Sequence, residues 1–237
     1  VPSAVIGHSV GEIAAAHVAG ILELAQAARL VCVRARVMQK ATGHGKMVSV
    51  SLNEEAARKA IGGFEERIGI AAVNDPNSVV LSGEVAALDE VISRLSVSGV
   101  HARALRVNYA FHSPQMEGLI PEFTSVLGDF SVKPAALPMI STVTGKLVTE
   151  GELDIGYWGR NIRQTVRFSE ALVASHEHVF VEVGPHPVLA LSMEQTLVGK
   201  NISGRVMPTL RREKDEREQV LLALGALYAA GVAIDWK

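Results

Sequence analysis

The sequence predicts an α/β protein: a core built on a parallel sheet, into which a smaller ferredoxin-like unit of order βαββαβ is inserted. Three observations carry this expectation. An apolar run, Ala4-Val5-Ile6, leads through Gly7-His8-Ser9-Val10-Gly11 into a helical pattern. Residues 47–107 then alternate strand and helix signals in the split βαβ order. Beyond them the chain resumes a different pattern. The expected parts are a discontinuous large subdomain at 1–46 and 113–210, a small subdomain at 47–112, and a terminal segment at 211–237.

Taken in order, residues 4–6 read as a buried strand and 10–19 as a helix whose face is Ile13, Ala14, Ala15, Val18 and Ala19. Gly20 breaks it. A second helix covers 24–41, with Leu30, Val31, Val33, Val37 and Met38 apolar, and Gly43-His44-Gly45 ends that region. In the inserted unit, 47–52 alternates as a strand and Asn53 caps a helix to about residue 61. Strands follow at 68–73 and 78–82 around an Asp75-Pro76-Asn77 turn, then a helix at 84–95 and a strand at 101–107. Residues 113–127 read as helical, with Ser113-Pro114 as cap and first turn. A strand at 137–143 precedes a Thr144-Gly145-Lys146 turn and short helices at 157–163 and 167–174. The remainder reads as a strand at 179–183, a helix at 187–197, a strand at 205–210, a charged run at 211–218 and an apolar helix at 220–230.

Composition narrows the classes. With 48% hydrophobic and 20% charged residues, the 237-residue chain can bury an ample core. A net charge of −2, with no basic patch among aromatics, argues against a nucleic-acid partner. The single Cys32 excludes an internal disulfide and a cysteine metal cluster and suits a reducing compartment. No apolar run has membrane-spanning length and no signal peptide is recognisable, so no membrane partner and a cytoplasmic location are expected. No metal site is expected either.

Gly-x-Ser-x-Gly between a strand and a helix is a nucleophile elbow, the junction of an α/β-hydrolase-like core. A tight turn exposes the Ser9 hydroxyl, and the flanking glycines remove colliding side chains. The Val10 N–H, at the positive end of the following helix, can stabilise an oxyanion. The alternative is an ordinary helix start with Ser9 as its capping hydroxyl. A serine hydroxyl needs a base to act at neutral pH, and the chain holds eight histidines. His8 adjoins Ser9, but neighbours on a tight elbow point apart. His17 lies on the next helix, and His176 and His178 flank a surface turn. His112 lies in Tyr109-Ala110-Phe111-His112-Ser113, where the inserted unit returns to the core and a cleft is favoured. Its alternative is a histidine capping the next helix.

Three blocks together carry a family resemblance: residues 7–20 from Gly7 to Gly20, Tyr109-Ala110-Phe111-His112-Ser113, and Glu182-Val183-Gly184-Pro185-His186-Pro187-Val188-Leu189. Almost the whole chain resembles the acyltransferase domain of a type I polyketide synthase, in the malonyl-CoA:acyl-carrier-protein transacylase family. The inserted ferredoxin-like unit is also a feature of that family. The resemblance implies an α/β-hydrolase-like core, with Ser9 as acyl-accepting nucleophile and His112 as its base. A backbone carbonyl within residues 161–166, instead of an aspartate, would hold the second imidazole nitrogen. It further implies that Arg34 grips the free carboxylate of the acyl unit, with Arg36 as a nearby rival and a solvated helix arginine as the plain alternative. His8, Tyr109 and Phe111 would line the substrate pocket.

The implied partners are an acyl carrier protein, whose phosphopantetheine thiol receives the acyl group, and neighbouring ketosynthase and linker domains. The acyl donor would be malonyl-CoA or methylmalonyl-CoA, with no permanently bound cofactor. In the family, Tyr-Ala-Ser-His accompanies methylmalonyl and His-Ala-Phe-His malonyl; Tyr109-Ala110-Phe111-His112 is a hybrid, and the ring at 111 and Val10 favour malonyl. The family also has strands and a Gly-Gln-Gly loop ahead of the nucleophile. Because this chain reaches Ser9 within nine residues, the N-terminal part of the core is expected to be missing. Residues 210–237 resemble the linker that follows such domains. Two rival readings are a serine acyl hydrolase on the same elbow, which has no need of Arg34, and a silent structural module of a synthase.

Overall fold

A computed structural model describes residues 1–236; Lys237, the end of the expected 211–237 segment, lies outside the described residues. Contacts divide the chain into two compact units, Val1–Ser175 and His176–Lys237.

The first unit opens with β1 (Val5–Ile6), α1 (Gly11–Val18) and α2 (Leu24–Met38). β1 pairs in parallel with β6 (Met139–Ile140), in register Val5↔Met139 and Ile6↔Ile140. Where 137–143 reads as a strand, only these two residues pair with β1; the Ser141 N–H donates instead to the Lys146 carbonyl, and its hydroxyl accepts the Val143 and Thr144 N–H groups. Between β1 and β6 lie β2 (Lys46–Val50), α3 (Glu54–Ala60), β3 (Ile68–Asp75), β4 (Ser78–Gly83), α4 (Val85–Val97), β5 (Ala102–Ala104) and α5 (Ile120–Leu127). β2 to β5 form an antiparallel sheet of order β3-β4-β2-β5. Asn53 caps α3 by accepting the Ala56 N–H at 2.8 Å, as expected of a short polar residue before a helical run. The expected helix at 113–127 starts as a 3₁₀ turn, Pro114–Leu119, capped by Ser113, before α5. The unit closes with α6 (Ile155–Arg163) and α7 (Phe168–Ala174).

Two apolar clusters support this unit. One includes Ile13, Leu30, Phe123, Tyr157 and Trp158 from α1, α2, α5 and α6. The other includes Val48, Ile68, Leu81, Leu88 and Val91, between the antiparallel sheet and α3 and α4. The architecture is therefore α/β, with parallel and antiparallel sheets.

The second unit pairs β7 (Val179–Glu182) in parallel with β8 (Arg205–Pro208) and adds α8 (Ala190–Gly199) and α9 (Glu216–Ala229). Here the third sequence block has a local structural role. The Glu182 carboxylate accepts the N–H groups of Val188, Leu189 and Ala190 at 2.7–2.9 Å, which closes the loop 183–189 onto the start of α8.

Candidate active site

Ser9 leaves β1 in the left-handed region, at φ 54°. A non-glycine residue held there is strained by about 1 kcal/mol or more, and such strain concentrates at functional sites. Gly7 permits the turn: a Cβ on it would lie 2.3 Å from Glu12 N and Cα, an approach only glycine allows. Ser9 is not a capping residue. The N-cap of α1 is Val10, with no side-chain cap, and the Ser9 hydroxyl points to His112 Nε2 at 2.7 Å.

His112 reaches this position from the return of the inserted sheet, also at positive φ, 57°. Its Nδ1 lies 2.9 Å from the Gln164 carbonyl. A carbonyl only accepts, so Nδ1 carries the proton, and Nε2 of the neutral ring presents a lone pair to the serine hydroxyl. Gln164 falls within the expected 161–166 window. Next to His112, the Ser113 hydroxyl donates to the Ala110 carbonyl at 2.7 Å and accepts the Gln115 N–H, fixing the turn.

Arg34 occupies the buried stripe of α2 with Ala27, Leu30 and Val37, a helical spacing that Val31, at 39% exposure, does not share. It donates to Ser9 Oγ at 3.2 Å, whereas Arg36 is exposed. Among the described residues Arg34 forms no ion pair, and its buried Nε has no acceptor. Burial lowers its pKa to about 10, partly opposed by Glu12, so it stays cationic at neutral pH.

His8 makes no hydrogen bond to Ser9 among the described residues. Its Nε2 donates to Asn74 Oδ1 at 2.8 Å and its ring meets the Phe168 ring edge-on. Burial lowers its pKa. Tyr109 and Phe111 stack on each other, centroids 4.9 Å apart, and form no hydrogen bond or ring contact to Ser9 or His112 among the described residues. The Val10 N–H has no acceptor there either, and Val10 is 46% exposed.

One network escapes sequence reasoning. Glu12 is fully buried, and its carboxylate accepts the Thr142 N–H, the Tyr157 hydroxyl at 2.8 Å and Asn161 Nδ2 at 2.7 Å. Asn161 Nδ2 also donates to the Ser9 carbonyl at 3.2 Å, so the elbow backbone is tied to α6. Burial raises the Glu12 pKa against these three donors. Its place two residues after Val10, at a helix start, was the only sequence signal; the donors come from 130 or more positions away.

Enclosure, then the neighbouring charges of Arg34 and His8, pull the His112 pKa down to about 3, while the Gln164 carbonyl opposes them. The imidazole is thus neutral at physiological pH and able to take a proton. Stability carries the same sign. Between pH about 6.5 and about 3 an unfolded imidazole binds a proton that the folded one does not, so acidification through that window destabilises the fold. His112→Gln is expected to flatten the slope of unfolding free energy there by up to about 1.4 kcal/mol per pH unit. Urea midpoints at pH about 7 and about 5 read this directly. An unchanged slope would mean that the imidazole is not held neutral.

Fold and site together define an α/β protein that carries a hydrogen-bonded serine–histidine pair at the tight turn between β1 and α1, with a guanidinium at the serine oxygen. The chain belongs to the acyl transferase domain family, whose model matches residues 1–234. It is 44% identical, over 99% of its length, to polyketide synthase GfsB of Streptomyces halstedii, of which it spans 4%. To erythronolide synthase EryA3 of Saccharopolyspora erythraea it is 43% identical over 99% of its length, spanning 8% of that protein. Among solved structures, the acyltransferase domain from module 8 of the salinomycin polyketide synthase is similar over the whole chain, at TM-score 0.96 and 40% identity; the chain covers 56% of it. A malonyl CoA-acyl carrier protein transacylase of Clostridium perfringens shares the fold at TM-score 0.81 and 24% identity, over 95% of this chain and 72% of that one. No helix among the described residues is long and apolar enough to cross a membrane.

Proposed function

We propose that the chain loads an acyl extender unit, malonyl in preference to methylmalonyl, from CoA onto Ser9 and passes it to the phosphopantetheine thiol of an acyl carrier protein. The observation that carries this reading is the chain Ser9–His112–Gln164 with the Arg34 guanidinium on the serine oxygen. His112 Nε2 takes the Ser9 proton as Oγ attacks the thioester carbonyl carbon. Collapse of the tetrahedral species breaks the C–S bond, and the imidazolium returns the proton to the departing CoA thiolate. The carrier thiol then gives its proton to His112 as its sulfur attacks the Ser9 ester carbonyl; the C–O bond to Ser9 breaks, and the imidazolium returns the proton to Oγ to restore the free serine. The Val10 N–H, free of an internal acceptor, faces the developing oxyanion, and Arg34 pairs with the distal carboxylate of the unit.

The reading extends to the parts of the fold. The element order and the strand order β3-β4-β2-β5 support a ferredoxin-like subdomain at 47–112, set into an α/β-hydrolase-like core at 1–46 and 113–210. Residues 211–237 act as the linker that follows. The domain works in the cytoplasm beside ketosynthase and linker domains and needs no bound cofactor. His8, Tyr109 and Phe111 shape the pocket. Phe111, half-buried and stacked on Tyr109, fills volume that a smaller residue would leave for an α-methyl group. One methyl is worth about 1–3 kcal/mol of discrimination, so preference, not exclusion, is expected.

Incubation with equal malonyl-CoA, methylmalonyl-CoA and acetyl-CoA, followed by intact-protein mass spectrometry, tests this. Malonyl is expected to dominate on Ser9, and carrier protein should chase it off with a matching mass gain. Loss of the acyl group to water, with none on the carrier, would favour the hydrolase instead. Absence of any adduct would sink the acyl-acceptor role.

A further inference from the structure

β3 of the antiparallel sheet lies against three separate parts of the site. Its pairing with β4 is broken twice: the register shifts between Ile70 and Ala72, and again between Val73 and Asp75. The residues left over are Ala71 and Asn74. A bulged residue leaves the ladder and turns its groups elsewhere, and bulges are frequent beside active sites. Here both turn toward the site. The Ala71 carbonyl accepts the Val166 N–H at 2.9 Å, and Asn74 Oδ1 accepts from His8 at 2.8 Å.

The Val166 contact belongs to a short parallel ladder. Val73 N–H donates to the Val166 carbonyl at 2.9 Å, and the Thr165 hydroxyl donates to the Ile70 carbonyl at 2.7 Å. The laddered segment begins where α6 ends. Gln164 caps α6 in an extended conformation, and its carbonyl accepts His112 Nδ1–H. At the start of β3, Gly69 packs directly on the backbone of the histidine turn. A Cβ there would lie 3.1 Å from the His112 carbonyl oxygen and 3.3 Å from Ser113 Cα.

We propose that β3 is the positioning strand of the dyad: Gly69 seats the His112 backbone, and the Ala71–Val73 edge holds the segment whose carbonyl orients the imidazole. The inserted unit thereby sets the geometry of the serine–histidine pair without contributing a reacting group. This rests on the assignment of Ser9 and His112 as that pair. A side chain at 69 must push the histidine turn by a few tenths of an ångström. Loss of the Thr165 hydroxyl removes one of the three hydrogen bonds that tie the Gln164 segment to the strand, the one nearest Gln164.

The test uses Gly69→Ala and the near-isosteric Thr165→Val, which keeps the proposal testable if the alanine variant does not fold. Val91→Ala, in the core of the same unit, is the control that lowers stability at a distance from the site. The first readout is the hydrogen-bonded imidazole Nδ1–H proton resonance of His112, assigned by its absence in His112→Gln. The second is the rate of Ser9 labelling by malonyl-CoA and by a fluorophosphonate. In folded Gly69→Ala and Thr165→Val the resonance should move and both labelling rates should fall about tenfold, with the half-saturating malonyl-CoA concentration within twofold. Val91→Ala should leave the resonance and the rates unchanged. Folded variants with native resonance and rates would overturn the proposal. So would a Val91→Ala protein that changes equally, or a parent chain without the resonance. Failure of malonyl-CoA alone, with the resonance and fluorophosphonate responses as expected, would refute the extender-unit reading and leave the positioning strand standing.

Discussion

Ser9→Ala is expected to remove acyl transfer by about four to six orders of magnitude, and His112→Ala to cost nearly as much. The expectation follows from how the two groups act together. An alcohol is ionised too rarely at neutral pH to attack a thioester, so the hydroxyl depends on Nε2 at 2.7 Å. The imidazole in turn depends on the Gln164 carbonyl to fix its tautomer and to meet the charge it acquires. Residues acting as a unit are not additive: once either is gone, loss of the other has little left to remove. The Ser9→Ala, His112→Ala double variant should therefore match the worse single variant within about tenfold. Single-turnover labelling with malonyl-CoA, read by intact mass, measures all three. An adduct that persists in Ser9→Ala, or maps to the exposed Cys32, would overturn the nucleophile assignment.

Much of this site was legible because its parts announce themselves locally. A glycine-flanked serine between an apolar run and an amphipathic helix is a short-range pattern, and the approach of Gly7 to Glu12 shows why glycine stands there. The histidine was suggested by its place at the return of an inserted unit, whereas Arg34 came from the family resemblance, which left Arg36 as a rival. Val31 counted as part of the apolar face of α2, yet it lies outside the stripe through Ala27, Leu30, Arg34 and Val37. What stayed illegible is tertiary. Nothing near Glu12 in sequence announces Thr142, Tyr157 and Asn161, which meet its carboxylate only after α6 packs beside the elbow. The two bulges of β3 were equally hidden, since Ile-Gly-Ile-Ala-Ala-Val alternates too weakly to mark which residue leaves the ladder. Strand lengths at 101–107 and 137–143 were overestimated for the same reason: propensity persists where hydrogen-bond partners run out.

Arg34→Ala is expected to reduce malonyl transfer far more than acetyl transfer, by about 2–4 kcal/mol of discrimination. The guanidinium is buried on the α2 stripe, remains cationic, and forms no ion pair among the described residues. A buried charge without a counter-ion is costly, so the site is poised for an anion. One guanidinium nitrogen already lies 3.2 Å from Ser9 Oγ, while Nε has no acceptor. An ester on Ser9 with a free carboxylate two bonds beyond its carbonyl would bring that anion within reach of the fork; an acetyl ester brings none. Stability separates this loss from misfolding. Removing an unpaired buried cation should leave the melting temperature unchanged or raise it, whereas loss of a structural arginine would lower it. Arg34→Lys keeps the charge but not the planar fork, and should recover only part of the malonyl preference. Competition between malonyl-CoA and acetyl-CoA, read as the ratio of adduct masses on Ser9 in the native chain and in each variant, gives the discrimination directly. Equal losses for the two acyl groups would make Arg34 structural, and the carboxylate-bearing extender unit would lose its physical basis.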